Sequence, residues 1–473
     1  MTSLGENDLF PDMKFDLVIR CGTVVLPQTD GVAVDIAISD GRIAALLLPG
    51  TAAEATETLD ASGKTVLPGV IDVHLHLGHG KDIARPRLPE DASTETAAAA
   101  IGGVTTFVPY LMATDPFETI FDEVKAITKA GARIDFGYHF IIATEDQLAG
   151  VPRYARDFGV PSFKIFMNNR GGEGARLGLP DIDDGFLLML CEAAAANGGM
   201  VCPHPENIEA SWVLRKRLLA ADPDGLGGLR AWNASRPPFV EADAVQRAGL
   251  FARETGARVY IVHTSSRKAL DAGLRARDAG SDIVIETCPH YLTHDVDWKG
   301  GDVGKINPPL RELDDREALW AGITAGDIDT VATDHVHRDI SAKSGGIWKA
   351  SPGCAGLETL LPVMLTDGHH GRDIPLGRIA ALLSSGPADA MGLHHRKGRI
   401  AVGLDADLAI VDLDRTYLYR REDVRSRAGY SIYEGRQFKG QVAHTLVRGR
   451  FVVRDGALVD HAVGSGQYIN RVL

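Results

Sequence analysis

Hydrophobic and polar positions change their rhythm twice along this 473-residue chain. The first segment contains the β-rich runs "FDLVIRCGTVVLP" and "VAVDIAISDGRIAAL", and the Asp40-Gly41 pair predicts a hairpin between two strands. From "KTVLPGVIDVHLHL" onward, short apolar or β-branched runs alternate with helical stretches, several of which end in Gly. Near residue 397 the pattern returns to strands, in "KGRIAVGLDADLAIVDL" and "QVAHTLVRGRFVVRDGALV".

The alternating middle of the chain predicts a closed barrel. Its candidate strands are "GVIDVHLHL", "VTTFVPYL", "IDFGYHFII", "SFKIFM", "MVCPHP", "RVYIVHT", "DIVIETCPHYL" and "DTVATDH". Eight strands separated by helical connections are typical of an α/β fold of the (β/α)₈ TIM-barrel type. A doubly wound open sheet is the alternative, but it does not usually need eight strands, and no GxGxxG follows the first one.

The chain is too long for one small core, and its patterning predicts four segments. Residues 1–66 and 396–455 are expected to pair as a small β-sandwich built from both chain ends, beside a catalytic barrel over residues 67–395. Residues 456–473 are expected to form a C-terminal arm with little structure of its own.

Composition narrows the classes of partner and compartment. The net charge of −13 indicates no nucleic-acid or polyanion partner. The five cysteines are odd in number and widely spaced, which is typical of reduced thiols in the cytoplasm. The N-terminus lacks the apolar core of a signal peptide, and no apolar run approaches the roughly 20 residues of a membrane span. We therefore expect a cytoplasmic protein with a small-molecule partner and no membrane partner.

Six polar side chains stand where the predicted barrel strands finish, which is where barrel enzymes carry their chemistry. They are His74, His76, Lys164, His204, His263 and Asp334. His74 and His76 occupy alternate positions, so both imidazoles project to one side of their strand. Each residue alone has an ordinary structural explanation: a lone strand-end histidine is usually hydrogen-bonded, and Asp334 is well placed to cap the next helix. Together they favour a metal site.

Lys164 is the most informative of the six, because "SFKIFM" surrounds it with aliphatic and aromatic residues. An ammonium there is costly unless it is paired, or unless the stem packs while the head reaches solvent. Another solution is a neutral amine that reacts with CO₂. The product is a carbamate, an anionic ligand with two oxygens that can bridge two cations.

The order of the motifs resembles one known group of enzymes. "PGVIDVHLHL", "SFKIFM", "HPEN", "HTSS", "ETCPHYL", "KINPPLR" and "VATDH" follow one another as in the cyclic amidohydrolases of the amidohydrolase superfamily. The resemblance covers about residues 15–450 and is greatest to hydantoinases and dihydropyrimidinases. It implies a metal-dependent barrel with a β-sandwich, assembled as a homotetramer, that opens a cyclic amide.

The resemblance also implies a role for each of the six residues. His74 and His76 match the ligands of the more buried metal, and His204 and His263 match those of the second. Lys164 matches the carboxylated lysine that bridges both ions. Asp334 matches the last ligand and the catalytic acid/base, which moves a proton while a metal-bridging hydroxide attacks the ring carbonyl. This donor set suits two Zn²⁺ ions, and Mn²⁺ or Co²⁺ would also fit.

The substrate is less well defined, because the chain departs from the family pattern. Hydantoinases and dihydropyrimidinases carry a tyrosine where "FMNNRG" has Asn169, and dihydroorotases carry an arginine where "HLHLGHG" has Gly78. In contrast, "SPGCAGLETLLP" is similar to the loop of dihydroorotases and allantoinases. The mixture favours a cyclic amide, imide or ureide, with Asn169, Asn307 and the backbone near Gly353 as predicted substrate contacts.

Three alternatives remain open at this point. The first is an allantoinase- or dihydroorotase-like enzyme on the same scaffold. The second is a non-catalytic assembly protein, since some relatives keep the barrel and lose their ligands. The third is a one-metal deaminase of the wider superfamily, which Lys164 argues against because such enzymes lack the lysine in this strand.

Overall fold

The computed structural model describes residues 14–473. Residues 1–13, which belong to the predicted first segment and carry most of the stretch that predicted no signal peptide, lie outside the described residues. Within the described part of the chain, no helix combines the length and the apolar character that a membrane crossing requires.

Seven short strands precede the barrel. They are β1 (Lys14–Arg20), β2 (Thr23–Val24), β3 (Val32–Ala33), β4 (Asp35–Ser39), β5 (Arg42–Leu47), β6 (Glu54–Asp60) and β7 (Thr65–Pro68). Asp40 and Gly41 join β4 to β5 with φ angles of 52° and 76°, and Ser39 pairs with Arg42 across the turn. Two consecutive positive φ angles are what a type I′ turn requires, so the predicted hairpin is confirmed.

A closed barrel of parallel strands follows. Its strands are β8 (Val70–His76), β9 (Val104–Leu111), β10 (Asp135–Phe136), β11 (His139–Ile141), β12 (Ser162–Phe166), β13 (Met200–His204), β14 (Arg258–Ile261), β15 (Ile283–Thr287), β16 (Thr330–Val331) and β17 (His335–Val336). β10 and β11 both pair with β9, and together they form the third strand. β16 pairs with β15, and β17 pairs with β8, so the interrupted eighth strand joins both edges of the sheet. The predicted TIM-type barrel is confirmed, and the open-sheet alternative is wrong.

Helices connect the strands and cover the barrel. They are α1 (Pro89–Ile101), α2 (Phe121–Gly131), α3 (Glu145–Arg156), α4 (Asp184–Ala196), α5 (Ile208–Ala221), α6 (Gly228–Ser235), α7 (Pro238–Thr255), α8 (Arg267–Asp278), α9 (Pro289–Thr293), α10 (Leu313–Ala325), α11 (Leu360–Val363), α12 (Leu376–Ala380) and α13 (Gly386–Ala390). Several begin at a side chain that accepts a backbone N–H of the first turn: Thr144 at α3, Asp183 at α4, Asn207 at α5 and Ser266 at α8. These caps define where strand-end loops stop and helices start.

Both chain ends contribute to a second layer of antiparallel strands. The later strands are β18 (Leu408–Leu418), β19 (Gln437–Val447), β20 (Arg450–Arg454) and β21 (Ala457–Leu458). One sheet has the order β5-β4-β1-β6, and the other has the order β21-β20-β19-β18-β7-β2-β3. Leu408 of β18 lies opposite Pro68 of β7, so the ends meet as predicted. The segment boundaries at residues 66, 395 and 455 stay predictions.

The C-terminal residues pack beneath the barrel, at the N-terminal ends of its strands. Ile469 N–H donates to Phe136 O at 2.8 Å, and Arg471 N–H donates to Gly159 O at 3.1 Å. The Arg471 side chain is fully buried and donates to Ser162 Oγ at 2.7 Å. The segment has little regular structure, but its contacts close the lower end of the barrel.

Candidate active site

The side chains that were predicted as metal ligands meet in one cavity of about 410 Å³ at the C-terminal end of the barrel. The ligand candidates among the residues that line it are His74, His76, Lys164, His204, His263 and Asp334. Five strands contribute: β8, β12, β13 and β14 carry or precede five of the residues, and the break between β16 and β17, which form the interrupted eighth strand, contains Asp334. Strand closure therefore brings together residues that are far apart in the chain.

Asp334 lies beside the two histidines of β8. Its Oδ1 atom is 3.2 Å from His74 Nε2 and 3.8 Å from His76 Nε2. Burial opposes ionisation of Asp334, but the nearby imidazoles, above all His74, lower its pKa. Asp334 and His263 both have positive φ angles, 47° and 40°, which non-glycine residues adopt at a cost of about 1–3 kcal/mol. The barrel holds these two side chains in a strained backbone so that they point into the cavity.

A buried carboxylate, Glu286, supports the first pair of histidines from behind. Its Oε1 atom accepts the Nδ1–H of His74 at 2.6 Å and the backbone N–H of His263 at 2.8 Å, and its Oε2 atom accepts the Tyr260 hydroxyl at 2.9 Å. Because a carboxylate only accepts, His74 carries its proton on Nδ1. In the neutral imidazole, the Nε2 lone pair is therefore directed toward Asp334 and the cavity.

Glu206 supports the second pair in the same way. Its Oε2 atom is 3.3 Å from His204 Nε2, and its Oε1 atom is 2.9 Å from Arg236 Nε. Donation from His204 Nε2–H leaves the Nδ1 lone pair free, and Nδ1 faces His263 Nε2 at 2.8 Å. Two imidazole nitrogens that face each other at this distance can share a proton or a cation.

Lys164 lies between the two pairs and is 1% exposed. Its Nζ atom is 4.6 Å from the centroid of the Tyr110 ring and 5.7 Å from that of Phe166. Burial lowers the pKa of the Lys164 amine, although the Asp334 carboxylate acts in the opposite direction. A buried amine with a lowered pKa has the neutral form that can react with CO₂.

The residues present fit a pair of divalent cations. Burial lowers the pKa of His76 to about 3, and burial together with His204 lowers that of His263, so these imidazoles are neutral donors. Burial also opposes protonation of His74, but the Glu286 and Asp334 carboxylates raise its pKa to about 9, and a cation would compete with that proton. One ligand atom from each of the buried side chains His74, His76 and Asp334 lies within 4.8 Å of the other two, a spacing at which all three can contact one cation. Neutral imidazoles and carboxylates are the donors that Zn²⁺ takes in catalytic sites.

The predicted substrate contacts also line the cavity, but they differ in which polar atoms remain available to a ligand. Asn169 is 2% exposed, and its Nδ2 donor has no partner among the described residues. Asn307 donates from Nδ2 to Glu206 Oε2 at 3.1 Å, which leaves its buried Oδ1 unpaired. Gly353 is already engaged, because its N–H donates to Lys305 O at 3.0 Å and its carbonyl accepts from Lys343 Nζ. Asn169 and Asn307 thus offer free polar atoms, and Gly353 shapes the wall.

Gly78 explains why the dihydroorotase arginine has no counterpart here. A Cβ atom at this position would lie 2.0 Å from Asp82 O. The backbone near residue 82 therefore occupies the space that any side chain at residue 78 would need.

Sequence reasoning missed both supporting carboxylates. Glu206 and Glu286 lie inside "HPEN" and "ETCPHYL", two of the motifs that carried the resemblance, but neither received a role. A weak signal was available: each is an acidic residue inside a run that otherwise predicts a buried strand or strand end. Their partners could not be named, since His74 and Glu286 are separated by 212 positions.

Comparisons with known proteins agree with this architecture. Residues 284–452 match the model of the amidohydrolase family. An allantoinase of Rubrobacter xylanophilus is 36% identical over 464 residues, covering 95% of this chain and 97% of the relative. An L-hydantoinase of Paenarthrobacter aurescens is 32% identical over 472 residues, covering 97% and 98%. Among solved structures, a D-hydantoinase matches with a TM-score of 0.88, 30% identity and coverage of 96% of this chain and 99% of that chain. The L-hydantoinase (dihydropyrimidinase) of Arthrobacter aurescens matches with a TM-score of 0.87, 30% identity and coverage of 97% and 100%.

Proposed function

This chain belongs to the amidohydrolase family and is a metal-dependent hydrolase of cyclic amides, and from that premise we propose that it opens a cyclic amide, imide or ureide of the hydantoinase or dihydropyrimidinase type. One observation carries the proposal: four imidazoles, a buried lysine and a carboxylate converge on one cavity at the C-terminal end of the barrel. A binding protein would not need Asp334 beside two histidines in a strained backbone.

We propose that two divalent ions, most suitably Zn²⁺, bind here, with Mn²⁺ and Co²⁺ as alternatives. His74 and His76 would hold one ion, His204 and His263 the other, and Lys164, carboxylated by CO₂, would contact both. Asp334 would complete the ligand set. When bound, such ions lower the pKa of a water molecule and polarise the carbonyl of the substrate.

The side chains of the protein supply proton transfer and orientation. Asp334 accepts the proton of the attacking water and returns it to the departing ring nitrogen, which is needed because an amide anion is a poor leaving group. The lowered pKa of Asp334 keeps it ionised at the start of the cycle. Glu286 and Glu206 hold the tautomers of His74 and His204, so one imidazole of each pair presents its lone pair to the cavity when it is neutral.

Asn169 is the proposed donor to the oxyanion that develops on the carbonyl. Its Nδ2 group is buried, unpaired within the described chain and on the cavity wall. It replaces the tyrosine hydroxyl of the family pattern with an amide N–H, which is shorter and less acidic. A preorganised donor of this kind typically contributes about 2.7–4 kcal/mol to lowering the barrier.

Allantoin is the second candidate substrate. An allantoinase is 36% identical to this chain over nearly its whole length, and "SPGCAGLETLLP" is similar to the loop of allantoinases. Dihydroorotate is disfavoured, since the backbone at Gly78 leaves no room for the arginine that would hold its carboxylate. A homotetrameric assembly and a cytoplasmic location remain predictions.

A substrate panel tests the proposal. Zinc- and bicarbonate-supplemented protein is assayed for ring opening of hydantoin, dihydrouracil, allantoin, dihydroorotate and succinimide, and bound metal is counted by mass spectrometry. We expect about two ions per chain and turnover of hydantoin, dihydrouracil or allantoin. An Asp334→Asn variant keeps the size of the side chain and lacks both the proton acceptor and the charged metal ligand, so it should not open any of the rings. Absence of both bound metal and ring opening would instead support the assembly-protein alternative.

A further inference from the structure

The walls of the cavity carry an excess of positive charge that the proposed chemistry does not use. Among the described lining residues, Glu173 is the one acidic side chain besides the predicted metal ligand Asp334. The basic ones are Arg176, Arg215, Arg236, Lys305, Arg338 and Lys349. The whole chain has a net charge of −13, so this concentration of cations runs against the charge of the molecule.

Two of these cations lie deep in the cavity, against one indole ring. The Arg236 guanidinium carbon is 4.0 Å and the Lys305 Nζ atom 4.2 Å from the Trp232 ring centroid. Trp232 Nε1–H donates to Ile306 O at 2.7 Å, which fixes the ring. Arg236 is paired with Glu206 at 2.9 Å, but Lys305, which is 3% exposed, has no ion-pair partner among residues 14–473. A cation–π contact compensates only part of the cost of a buried ammonium.

The cations nearer the entrance are also poorly neutralised. Arg215 Nη1 lies 3.7 Å from Glu173 Oε1, close to the upper limit of about 4 Å for an ion pair. Arg338, which is half-buried, donates from Nε to Pro352 O at 3.3 Å and has no carboxylate partner in the described part of the chain. Arg176 is exposed at the rim, likewise without an ion pair to any described residue.

This arrangement is electrostatically unfavourable without a ligand. Burial lowers the pKa of Lys305 to about 7, with further contributions from Arg236 and other nearby guanidinium groups. Burial also lowers the pKa of Arg338. A solvated basic surface would show no such mutual repulsion, because water screens its charges. An anion placed among these groups would recover the missing interaction energy.

We propose, on the premise of the proposed function, that the substrate carries a carboxylate at the end of its ring substituent, and that Lys305 and Arg338 bind it. Asn307 belongs to the same "KINPPLR" segment as Lys305 and contacts His204 and Glu206. The six basic lining residues, here called the cationic wall, therefore begin next to the predicted metal ligands, where the reacting ring would bind. A guanidinium and an ammonium facing one cavity suit a small planar anion. Arg176 and Lys349 at the entrance would attract it from solution.

The position of the carboxylate distinguishes this substrate class from dihydroorotate. Dihydroorotate carries its carboxylate directly on the ring, and the arginine that binds it in dihydroorotases is replaced here by Gly78. The cations of this chain extend instead from the buried Lys305, in the same segment as Asn307, to the exposed Arg176 and Lys349. A substituent that extends away from the ring is needed to reach them.

A pair of substrates that match in shape and differ in charge tests the inference. One is a hydantoin with a carboxyethyl group on its ring carbon, and the other carries a carbamoylethyl group, which has the same shape and no charge. kcat/KM for both is measured with zinc-loaded wild-type, Lys305→Met and Arg338→Gln proteins. Lys268→Met and Arg275→Gln are matched controls, since both residues are exposed on α8. Binding of both compounds is also measured by calorimetry on Asp334→Asn, which removes the proton acceptor.

We expect wild type to prefer the acid over the amide by at least about tenfold in kcat/KM and in affinity, mainly through KM. The preference should fall by about fivefold or more in Lys305→Met or Arg338→Gln and persist in both controls. A wild-type preference within about twofold of unity, or one that neither variant reduces, overturns the inference. Preferential binding of the acid without ring opening of any compound would overturn the proposed function and leave the anion site standing.

Discussion

The buried carboxylate Glu286 offers the sharpest test of how the site is organised. A Glu286→Gln substitution keeps the size and shape of the side chain and removes its charge. Glu286 accepts hydrogen bonds from the His74 ring, the His263 backbone and the Tyr260 hydroxyl. An NH₂ group in place of Oε1 would meet two donors, the His74 ring and the His263 N–H. In the opposite orientation it would face the Tyr260 hydroxyl, which can also accept, and the His74 ring would then face a neutral amide oxygen, a weaker acceptor than a carboxylate.

The expected loss of metal affinity in Glu286→Gln follows from this geometry. An amide NH₂ facing His74 would move the imidazole proton to Nε2, the nitrogen that is directed toward Asp334. A protonated Nε2 cannot coordinate a cation. Loss of a carboxylate behind a metal-binding histidine typically weakens metal affinity about 10–100-fold, which corresponds to about 1.4–2.7 kcal/mol. Because Glu286 serves two elements of the site, we expect the upper part of this range.

The assay is a zinc competition titration against a chelating indicator, followed by kcat at saturating zinc. We expect the zinc Kd of Glu286→Gln to rise by about two orders of magnitude, while far-ultraviolet circular dichroism remains that of the wild type. Glu192→Gln, on the exposed side of α4, is the matched control and should bind zinc normally. A zinc Kd for Glu286→Gln within about threefold of wild type would refute the view that this carboxylate sets the tautomer of His74.

Four further predictions address the lysine, the oxyanion donor, a buried acid and the C-terminus. Lys164→Ala should lose turnover and bound metal, with partial recovery of both in a short carboxylic acid such as propionate; normal turnover of this variant in metal-free buffer would contradict the bridging role. Asn169→Ala should lower kcat about 10²–10³-fold with a smaller change in KM, and an unchanged kcat would assign the donor elsewhere. Burial raises the pKa of Glu358 to about 7, so the folded protein holds a proton there that the unfolded chain releases near pH 4.5, and this contribution to stability is lost as pH rises from 4.5 to 7. In urea titrations, Glu358→Gln should therefore gain stability relative to wild type across that pH range, by up to about 3 kcal/mol. A difference in stability that does not change with pH would contradict this expectation. Ending the chain before Gly466 removes Arg471 and the backbone bonds that close the lower end of the barrel, so the midpoint of urea unfolding should fall markedly, and an unchanged midpoint would contradict this view of the segment.

The barrel and its strand-end residues were predictable because their signals are local. In a strand that ends with His74 and His76, the two imidazoles project to the same side, because alternate residues of a strand share a face whatever the rest of the chain does. Closure of a parallel barrel then brings all C-terminal strand ends to one side, which is why the candidate ligands could be chosen one strand at a time. The Asp40-Gly41 turn is local in the same sense, because both residues tolerate positive φ angles.

The environment of those residues was not predictable, because it depends on contacts between distant segments. Glu286 reaches His74 across 212 positions, and Arg471 reaches Ser162 across 309. The cationic wall is likewise scattered along the chain and is assembled by the loops above the barrel. Along the sequence these residues are ordinary charged positions in an acidic protein.

The sequence by itself determined that this protein is a barrel with two histidine pairs, a lysine and an aspartate at its strand ends. The reason is that the periodicity and the order of the strands follow from the identities of neighbouring residues. Only the tertiary structure decided which acids fix the tautomers of His74 and His204, and that several cations line the cavity of the proposed active site. It also decided that the Asn169 Nδ2 donor has no partner within residues 14–473. The physical reason is that burial, hydrogen-bond pairing and Coulomb energy depend on distances through space, and chain folding sets those distances between residues hundreds of positions apart.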